Sequence, residues 1–377
     1  MKNIYLIGDI YGAYRTQNMI KTLLDGQNRI FFCNIRSLRF PTSFKLTHNI
    51  YRTIVNLFGN ILSLPHKIYS ISLADIVIVT AMNNSKRFEF RLSKLLRKKI
   101  ITDYYVSYHD SWVHDRKRIR ENSFKARRLQ RAERDLINGS SLVLFLNTTE
   151  AARYTRLVDA DLSKISYKIV PLCIEEKAAV NLPFFSRKRD YISICWWGAY
   201  IPLHGLEKII EAGRILKERR IGFKMHLFGN SKKESTQYVE LVEKLCLNDS
   251  VVIRNDYTFQ NGRLEEFLIN NCDVVLGNFG DSEKAKNVLV NKLIDGVAMR
   301  APVLTGESVA PREFFNGETD IFYTKNRGES IAESVELISN MKLEIIRSRT
   351  NNAYEIYKRN FSVQNFKEKI DEIIDVI

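Results

Sequence analysis

A lysine and an aspartate lie one helical turn apart in the stretch GDSEKAKNVLVNKLIDGVAMRAPVLTGES, which covers residues 280–308. If residues 287–299 form a helix, Lys292 and Asp295 lie on the same face, because residues three and four apart are neighbours on a helix. A fixed lysine stabilises the charge that develops on a leaving phosphate, and a carboxylate beside it can accept hydrogen bonds from ribose hydroxyls. The alternative is a solvated ion pair on the surface, which would contribute little.

Three turns that contain glycine are candidates for binding anionic groups. The first turn, GDIYGAYR, follows the first predicted strand and contains Gly12 and Arg15. The second, WWGAYIPLHG, follows a later strand and contains Gly198 and His204. The third, GNFGDSEKAKN, precedes the helix just described. In parallel sheets such turns lead into helix N-termini, whose amides stabilise anions. The sequence lacks GxGxxG and the P-loop pattern, so neither a dinucleotide oxidoreductase nor a P-loop NTPase is expected. The turns favour a nucleotide-activated donor.

The elements that must position these residues alternate between strands and helices. Apolar, β-branched runs such as NIYLIG, ADIVIVTA and SLVLFLNT are separated by helix-length segments, and the pattern restarts at YISICWWG and continues to APVLTGE, after which we expect only helices. This alternation is typical of βαβ units and a parallel sheet covered on both faces. The sequence therefore predicts an α/β protein with two doubly wound, Rossmann-like domains, residues 1–172 and 173–361, which face a central cleft and are joined by a linker over 171–189.

The net charge of +15 belongs to the N-terminal half of the chain. Up to Val170 there are 29 lysines and arginines against 13 acidic residues, whereas the remainder has 29 against 30. This asymmetry indicates an anionic partner for the first half, either nucleic acid, an anionic lipid surface or a phosphorylated substrate. The alternative is a surface that only keeps the protein soluble.

Two segments of the basic half are candidates for contact with such a partner. FKLTHNIYRTIVNLFGNILSLPHKIY, residues 44–69, has apolar residues at helical spacing among basic ones. It predicts either an amphipathic helix on an anionic membrane or a core helix of the first domain. DRKRIRENSFKARRLQRAERD, residues 115–135, predicts a solvated helix with salt bridges rather than a nucleic-acid site.

Cysteine usage and hydropathy indicate a cytoplasmic protein. The five cysteines are widely spaced and contain no CxxC pair, which favours reduced thiols over a zinc or redox site. The apolar run at the N-terminus is interrupted at Asp9, too early for a signal peptide, and no segment has 18 consecutive apolar residues. An integral membrane protein is therefore not expected.

The motifs together resemble the GT-B glycosyltransferases, specifically the retaining group called family 4. The second domain of that family opens with a glycine turn and a lysine–glycine pair, and WWGAYIPLHGLEKIIEAGRIL has this layout. The family also has two glutamates separated by seven residues, the second in a helix that runs into an AxGxPV strand, and DGVAMRAPVL matches this part with Asp295 at the second glutamate. ITDYYVSYHDSW resembles its histidine–aspartate turn, and REFFNGETDIFY resembles a later glutamate-containing loop.

The resemblance implies a donor site that departs from the family pattern. Asn287 stands at the first glutamate, with Glu283 and Asp281 as nearby substitutes. Ala199 and His204 replace an arginine and a lysine that hold the diphosphate. The replacement cations would come from Lys284, Lys286, Lys292 and Arg15. The resemblance thus implies that the donor contacts Gly12, Arg15, Gly198, His204, Asn287, Val288, Lys292 and Asp295.

The expected catalytic residues are His109, Asp110 and Glu283, which would act on the acceptor hydroxyl or the sugar. For His109 the alternative is a purely structural turn histidine. No cofactor or metal is expected, because a lysine and helix amides can stabilise a leaving diphosphate without one. Asp159 and Asp161 have the spacing of a metal-binding DxD motif, but they follow a predicted helix rather than a strand, so we expect them on the surface.

Together with the resemblance, these features predict a cytoplasmic, retaining hexosyltransferase that is independent of metal. It would use a UDP- or GDP-linked sugar, extend a glycan or lipid-linked acceptor for a surface polysaccharide such as capsule or O-antigen, and dock on the inner face of the membrane through its basic half. No nucleic acid is expected as a partner. The final helix, 362–377, would return to the N-terminal domain, as the resemblance implies. The alternatives are a non-catalytic polyanion-binding or nucleic-acid-binding protein on the same fold and a nucleotide-sugar epimerase.

Overall fold

The computed structural model describes residues 1–8, 14–33, 59, 61–80 and 87–377. Within these ranges the chain forms two separate six-stranded sheets. All the recorded strand pairs are parallel. The predicted α/β architecture with two doubly wound sheets is therefore confirmed.

The N-terminal sheet has the strand order β2-β1-β3-β4-β5-β6. Its strands are β1 (Asn3–Ile7), β2 (Arg29–Phe32), β3 (Ile76–Val79), β4 (Lys99–Asp103), β5 (Leu142–Phe145) and β6 (Tyr167–Ile169). The helices that accompany it are α1 (Tyr14–Asp25), α2 (Leu64–Leu73), α3 (Arg87–Leu95), α4 (Phe124–Asn138) and α5 (Thr148–Leu157), with a π-helical turn at Asp110–Asp115 and a 3-10 turn at Leu162–Lys164.

The C-terminal sheet has the strand order β12-β11-β10-β7-β8-β9. Its strands are β7 (Ile192–Trp197), β8 (Phe223–Phe228), β9 (Val251–Arg254), β10 (Val274–Leu276), β11 (Val303–Gly306) and β12 (Phe322–Thr324). Its helices are α6 (Leu206–Glu218), α7 (Lys232–Lys244), α8 (Arg263–Asn271), α9 (Glu283–Asn287), α10 (Asn291–Ala298), α11 (Val309–Arg312), α12 (Gly328–Ser339), α13 (Leu343–Asn360) and α14 (Val363–Val376), with a 3-10 turn at Pro202–His204.

Local sequence explains most of these elements. The central strands β3 and β7 are buried along their whole length, as expected for apolar, β-branched runs covered on both faces. Several helices begin at a Ser or Asn whose side chain accepts a hydrogen bond from a backbone N–H of the first turn. This N–H has no carbonyl partner within the helix, so the side chain satisfies it. Such caps stand at Ser123, Asn147, Ser231, Ser282 and Ser362.

The last helix, α14, packs against the N-terminal sheet. Phe366, Ile370 and Ile373 share an apolar core with Met19 and Leu23 of α1. The chain therefore crosses between the two sheets twice, once after β6 and once after α13.

Two sequence expectations about the second half were wrong. The helix expected over 287–299 is split, because Val288 and Val290 are extended and Leu289 turns into the core. The chain after β11 is also not all helical, since β12 adds a short strand at the edge of the sheet. The split places Lys292 in the first turn of α10.

Some expectations fall outside the described residues, namely Gly12 and most of the segment 44–69. Within that segment Lys67 is buried on α2, and its ammonium group lies 3.4 Å from the Glu89 carboxylate. In the ranges that the structure describes, no helix has both the length and the apolar character needed to cross a membrane.

Candidate active site

Lys292 is a buried lysine that forms no ion pair within the described residues. Its side chain is only 4% exposed, and its Nζ atom lies 4.2 Å from the centroid of the Trp196 ring. In the described part of the chain this Nζ has no hydrogen-bond partner. Burial lowers the pKa of Lys292 well below its usual value. A buried ammonium group of this kind is costly in the free protein, and an arriving anion would relieve that cost.

The backbone of the turn after β7 passes close to this amino group. Gly198 has φ near 150°, and a Cβ atom there would lie 3.2 Å from Lys292 Nζ and 3.4 Å from His204 Nε2. Burial first, and then the charge of Lys292, lowers the pKa of His204 well below its usual value, so its ring is neutral near pH 7. The structure thus brings Gly198, His204 and Lys292 together at the carboxyl end of β7.

The N-terminus of α10 faces this group with backbone donors. Its N-cap residue, Val290, has no side chain that could cap the first amides. The positive end of the helix dipole and the Lys292 ammonium group therefore belong to the same turn. The combination suits an anion such as a phosphate.

Asp295 lies one turn further along α10 and is 8% exposed. The indole Nε1 of Trp197 donates a hydrogen bond to its Oδ2 at 3.4 Å. Burial raises the pKa of Asp295 to about 6, although the charge of Lys177 and the bond from Trp197 oppose the shift. The surface-pair alternative is wrong, since Lys292 and Asp295 are both buried and form no ion pair with each other in the described structure.

The N-terminal domain contributes a second cluster around Asp110. Both oxygens of this fully buried carboxylate accept hydrogen bonds from Arg153, at 2.9 and 2.6 Å, and Lys284 Nζ lies 3.6 Å away. Burial alone would raise the pKa of Asp110, but the bonds from Arg153 and the charge of Lys284 outweigh it and bring the pKa below its usual value. Asp110 is therefore held ionised.

His109 lies beside this carboxylate in a well-defined turn. Its backbone N–H donates to Glu133 Oε1 at 2.9 Å, and its ring lies edge to face on His114, with 5.2 Å between centroids. Burial first, and then the charge of His114, lowers the pKa of His109, which keeps the ring neutral near pH 7. Its Nδ1 atom is buried and has no hydrogen-bond partner within the described residues.

Helix α9 connects the two domains at this cluster. Glu283 pairs with Arg156, and its carboxylate lies 3.9 Å from Arg153 Nε. Lys284 donates to Ser111 Oγ at 2.8 Å. The structure therefore brings His109, Asp110 and Glu283 to one place, where Arg153 contacts both carboxylates.

The remaining predicted donor residues are not part of these clusters. The guanidinium group of Arg15 is buried, bonds both oxygens of Asp103 at 3.0 and 2.9 Å, and donates to the Pro171 carbonyl at 2.6 Å. Asn287 ends α9 and donates to the Glu283 carbonyl at 2.7 Å, and Val288 follows as the C-cap. Arg15 is thus engaged inside the N-terminal domain, and we do not carry it into the donor site.

Sequence reasoning missed the contributions of α5 and Glu313. Arg153 holds Asp110, and burial raises the pKa of the nearby Glu150 to about 8, so that this carboxyl is protonated near pH 7. Glu313 accepts bonds from the amides of Thr148 and Thr149 at 2.9 and 2.7 Å and so joins the two domains. The sequence signals were a charged helix after β5 and the glutamate-containing loop REFFNGETDIFY. Neither shows which residues pair, because each partner lies far away along the chain.

In the described ranges, no group of three or more His, Cys, Asp or Glu side chains is arranged to hold a metal ion. The two aspartates with the DxD spacing, Asp159 and Asp161, make separate contacts. Asp159 is 3.6 Å from Arg134, and Asp161 caps the short turn that follows it.

No family model matches the chain, and no curated sequence does. Among solved structures, sucrose-phosphate synthase from Thermosynechococcus elongatus matches with a TM-score of 0.72 at 13% identity, covering 100% of this chain and 98% of that one. Anabaena HepE in complex with UDP matches with a TM-score of 0.69 at 12% identity, covering 100% of both chains. The lipopolysaccharide outer core galactosyltransferase WaaB matches with a TM-score of 0.62 at 12% identity over 99% of both.

These similarities extend over the whole of this chain and involve both sheets. At identities of 12–13% they establish the fold and not the activity. The chain has the fold of the GT-B glycosyltransferases, as the sequence motifs had indicated.

Proposed function

We propose that this protein is a glycosyltransferase that transfers a hexosyl group from a UDP- or GDP-linked sugar to a glycan or lipid-linked acceptor. The single observation that carries the proposal is the buried, unpartnered ammonium group of Lys292 beside the Gly198 turn and the open N-terminus of α10. A leaving diphosphate supplies the charge that this site lacks. The likeness to a UDP-bound structure with the same fold supports the choice of ligand.

In this proposal the donor lies along the C-terminal domain. Its diphosphate contacts Lys292 and the first amides of α10, next to Gly198 and His204. Its ribose hydroxyls donate to Asp295, whose ionised form is the better acceptor. The bond between the sugar C1 and the phosphate oxygen breaks as the acceptor oxygen bonds C1, and the proton of the acceptor hydroxyl leaves with the diphosphate. The charge that develops on the phosphate lies beside the lysine, where it is stabilised most strongly because the surroundings exclude water.

The acceptor side belongs to the N-terminal domain. His109 is neutral, so its ring can accept a hydrogen bond from a hydroxyl group of the acceptor or the sugar. Arg153 contacts the carboxylates of Asp110 and Glu283 and so sets their orientation on the acceptor side of the site. We propose that transfer retains the configuration at C1 and serves the synthesis of a surface polysaccharide.

The experiment that tests the proposal measures diphosphate release from a panel of UDP- and GDP-linked sugars. We expect one donor to be hydrolysed slowly in the absence of acceptor. We also expect EDTA to leave the rate unchanged, because Lys292 and helix amides stabilise the leaving diphosphate, as a metal ion does in other enzymes. Release of nucleoside diphosphate from no donor would contradict the activity. Loss of activity in EDTA with recovery in Mn²⁺ or Mg²⁺ would contradict independence of metal.

A second candidate function, polyanion binding, is favoured by the surface around α4. Residues 116–131 contain eight lysines and arginines and one acidic residue. Of these, Arg116, Lys117, Arg127 and Arg131 are exposed and have no ion-pair partner in the described structure, and Phe124 among them is 75% exposed. The salt bridges expected along this run are thus absent at these four positions.

We propose that this surface docks the enzyme on an anionic membrane at the cytoplasmic face, where a lipid-linked acceptor would lie. Clustered basic residues are attracted to anionic lipid, and an exposed aromatic ring inserts at the interface. Arg127→Gln with Arg131→Gln should weaken binding to vesicles with phosphatidylserine, measured by co-sedimentation, by roughly 30-fold at about 1 kcal/mol per charge. Lys232→Gln with Lys233→Gln, on α7 of the other domain, is the control. Equal loss in both variants, or a larger loss of binding to duplex DNA, would reject the membrane proposal in favour of polyanion binding.

A further inference from the structure

A pocket of about 500 Å³ lies at the carboxyl ends of β11 and β12. Strand β10 separates these strands from β7, whose end carries the Gly198 turn. The pocket is therefore distinct from the donor turn, although α9 borders both. Its charged lining residues are Asp281, Lys286, Glu307, Arg312, Lys325 and Arg327.

The four basic residues of this pocket have no carboxylate partner in the part of the chain that the structure describes. Of the two acidic lining residues, Asp281 is paired with Lys208 at 2.6 Å, and Glu307 forms no ion pair within the described residues. The guanidinium group of Arg312 is held over the Tyr323 ring at 4.0 Å, so its position is set by packing rather than by a counter-ion. Four cations line one concave surface, and Glu307 is the one lining carboxylate that is not paired elsewhere in the described structure, so the excess of positive charge raises the local potential for an anion.

A helix N-terminus adds to this potential. Helix α12 has twelve residues, and its N-cap residue is Arg327, whose side chain makes no cap hydrogen bond. The first backbone N–H groups of α12 therefore have no side-chain cap and lie beside Lys325 and Arg327. Backbone donors, a helix dipole and cationic side chains together are the features that bind phosphate groups.

The backbone around the pocket is fixed, so the site does not have to be assembled on binding. The Asn326 amide donates to the Gly280 carbonyl at 2.8 Å, and Ser308 Oγ donates to the Lys286 carbonyl at 3.0 Å. These bonds join the end of β12 to the loop before α9 and the end of β11 to α9 itself. Such preorganisation reduces the entropy lost on binding.

We propose that this basic pocket binds the phosphate group of a phosphorylated sugar or lipid, as a site separate from the nucleotide site. The volume is larger than a bare phosphate needs and is in the range of pockets for small molecules, which favours a phosphate attached to a larger group. The proposal does not depend on the glycosyltransferase activity, because phosphate binding can be measured without a sugar donor.

The test uses glucose 6-phosphate as a soluble probe and vesicles with phosphatidic acid as a lipid probe, in the absence of nucleotide. Lys325→Gln with Arg327→Gln should weaken binding of at least one probe by tenfold or more, measured by calorimetry or co-sedimentation. The matched pair Lys232→Gln with Lys233→Gln should leave binding unchanged, because it removes the same charge from a remote helix. Pocket-dependent binding of glucose 6-phosphate identifies a soluble ligand, and pocket-dependent binding of the vesicles alone identifies a lipid headgroup.

Lys292→Met separates this pocket from the nucleotide site. Binding of the probe should persist in Lys292→Met while Lys325→Gln with Arg327→Gln removes it. The proposal is overturned if neither probe binds the wild type, if both paired variants lose binding equally, or if only Lys292→Met loses it. Failure of these binding tests would leave diphosphate release from sugar nucleotides unaffected, so the two proposals fail separately.

Discussion

Lys292→Met is expected to lower the affinity for the preferred nucleoside diphosphate, UDP or GDP, by roughly tenfold to 150-fold. The variant removes a charge-assisted hydrogen bond worth ~1.5–3 kcal/mol and keeps the length and apolar part of the side chain. The unfolding free energy should not fall, because the variant no longer buries an amino group that has no polar partner in the free protein. Calorimetry for the affinity and urea denaturation for the stability measure the two effects.

The exposed Lys244 on α7 offers the control, since Lys244→Met removes the same charge from a solvated position of the same domain. We expect it to leave both quantities unchanged. In the wild type, nucleotide binding should also take up a proton, since burial depresses the pKa of Lys292 and a phosphate beside it would raise that pKa again. Calorimetry in buffers of different protonation enthalpy detects this uptake, which Lys292→Met should abolish.

Asp295→Asn extends the same test along α10. If Lys292 and Asp295 hold the diphosphate and ribose of one ligand, the double variant should lose less affinity than the sum of the two single losses. Unchanged affinity in both single variants would end the donor-site proposal. A fall in stability without a fall in affinity would assign the two residues to the core alone.

Arg153→Ala is expected to cost ~3–5 kcal/mol of unfolding free energy, the largest change in stability that the site can show. The variant leaves the Asp110 carboxylate fully buried, with Lys284 at 3.6 Å as its remaining charged neighbour. The loss follows mainly from this unpaired charge rather than from the strength of the original pair. Urea denaturation at neutral pH measures it, provided that unfolding is two-state.

Arg156→Ala is the matched control, because Arg156 lies one turn further along α5 and pairs with Glu283 at the surface. Its side chain is 69% exposed, so we expect a loss of at most ~1 kcal/mol. Asp110→Asn combined with Arg153→Ala should lose less than Arg153→Ala alone, since the buried charge is then gone. Similar losses for Arg153→Ala and Arg156→Ala would contradict this account of the cluster.

The sequence motifs predicted the two sheets and eleven of the strands in the described ranges, because a strand covered on both faces is recognisable from a short apolar run. The short strand β12 was missed, since three residues between turns give too little periodicity. The break at 288–290 was missed for a related reason. Helical spacing continues through these residues in the sequence. In the structure the helix is interrupted there, and the Leu289 side chain is buried in the core, where it is 2% exposed.

By itself, then, the sequence determined the architecture, the glycine turn after β7 and the two residues of α10 on which the donor proposal rests. These are local properties of composition and spacing. Only the tertiary structure decided that Lys292 is buried without a counter-charge, that Arg15 is engaged by Asp103, and that Arg153 joins Asp110 to Glu283. The physical reason is that burial and charge pairing depend on which segments pack together, and the partners of Asp110 and Glu283 lie 43 and 127 residues away along the chain.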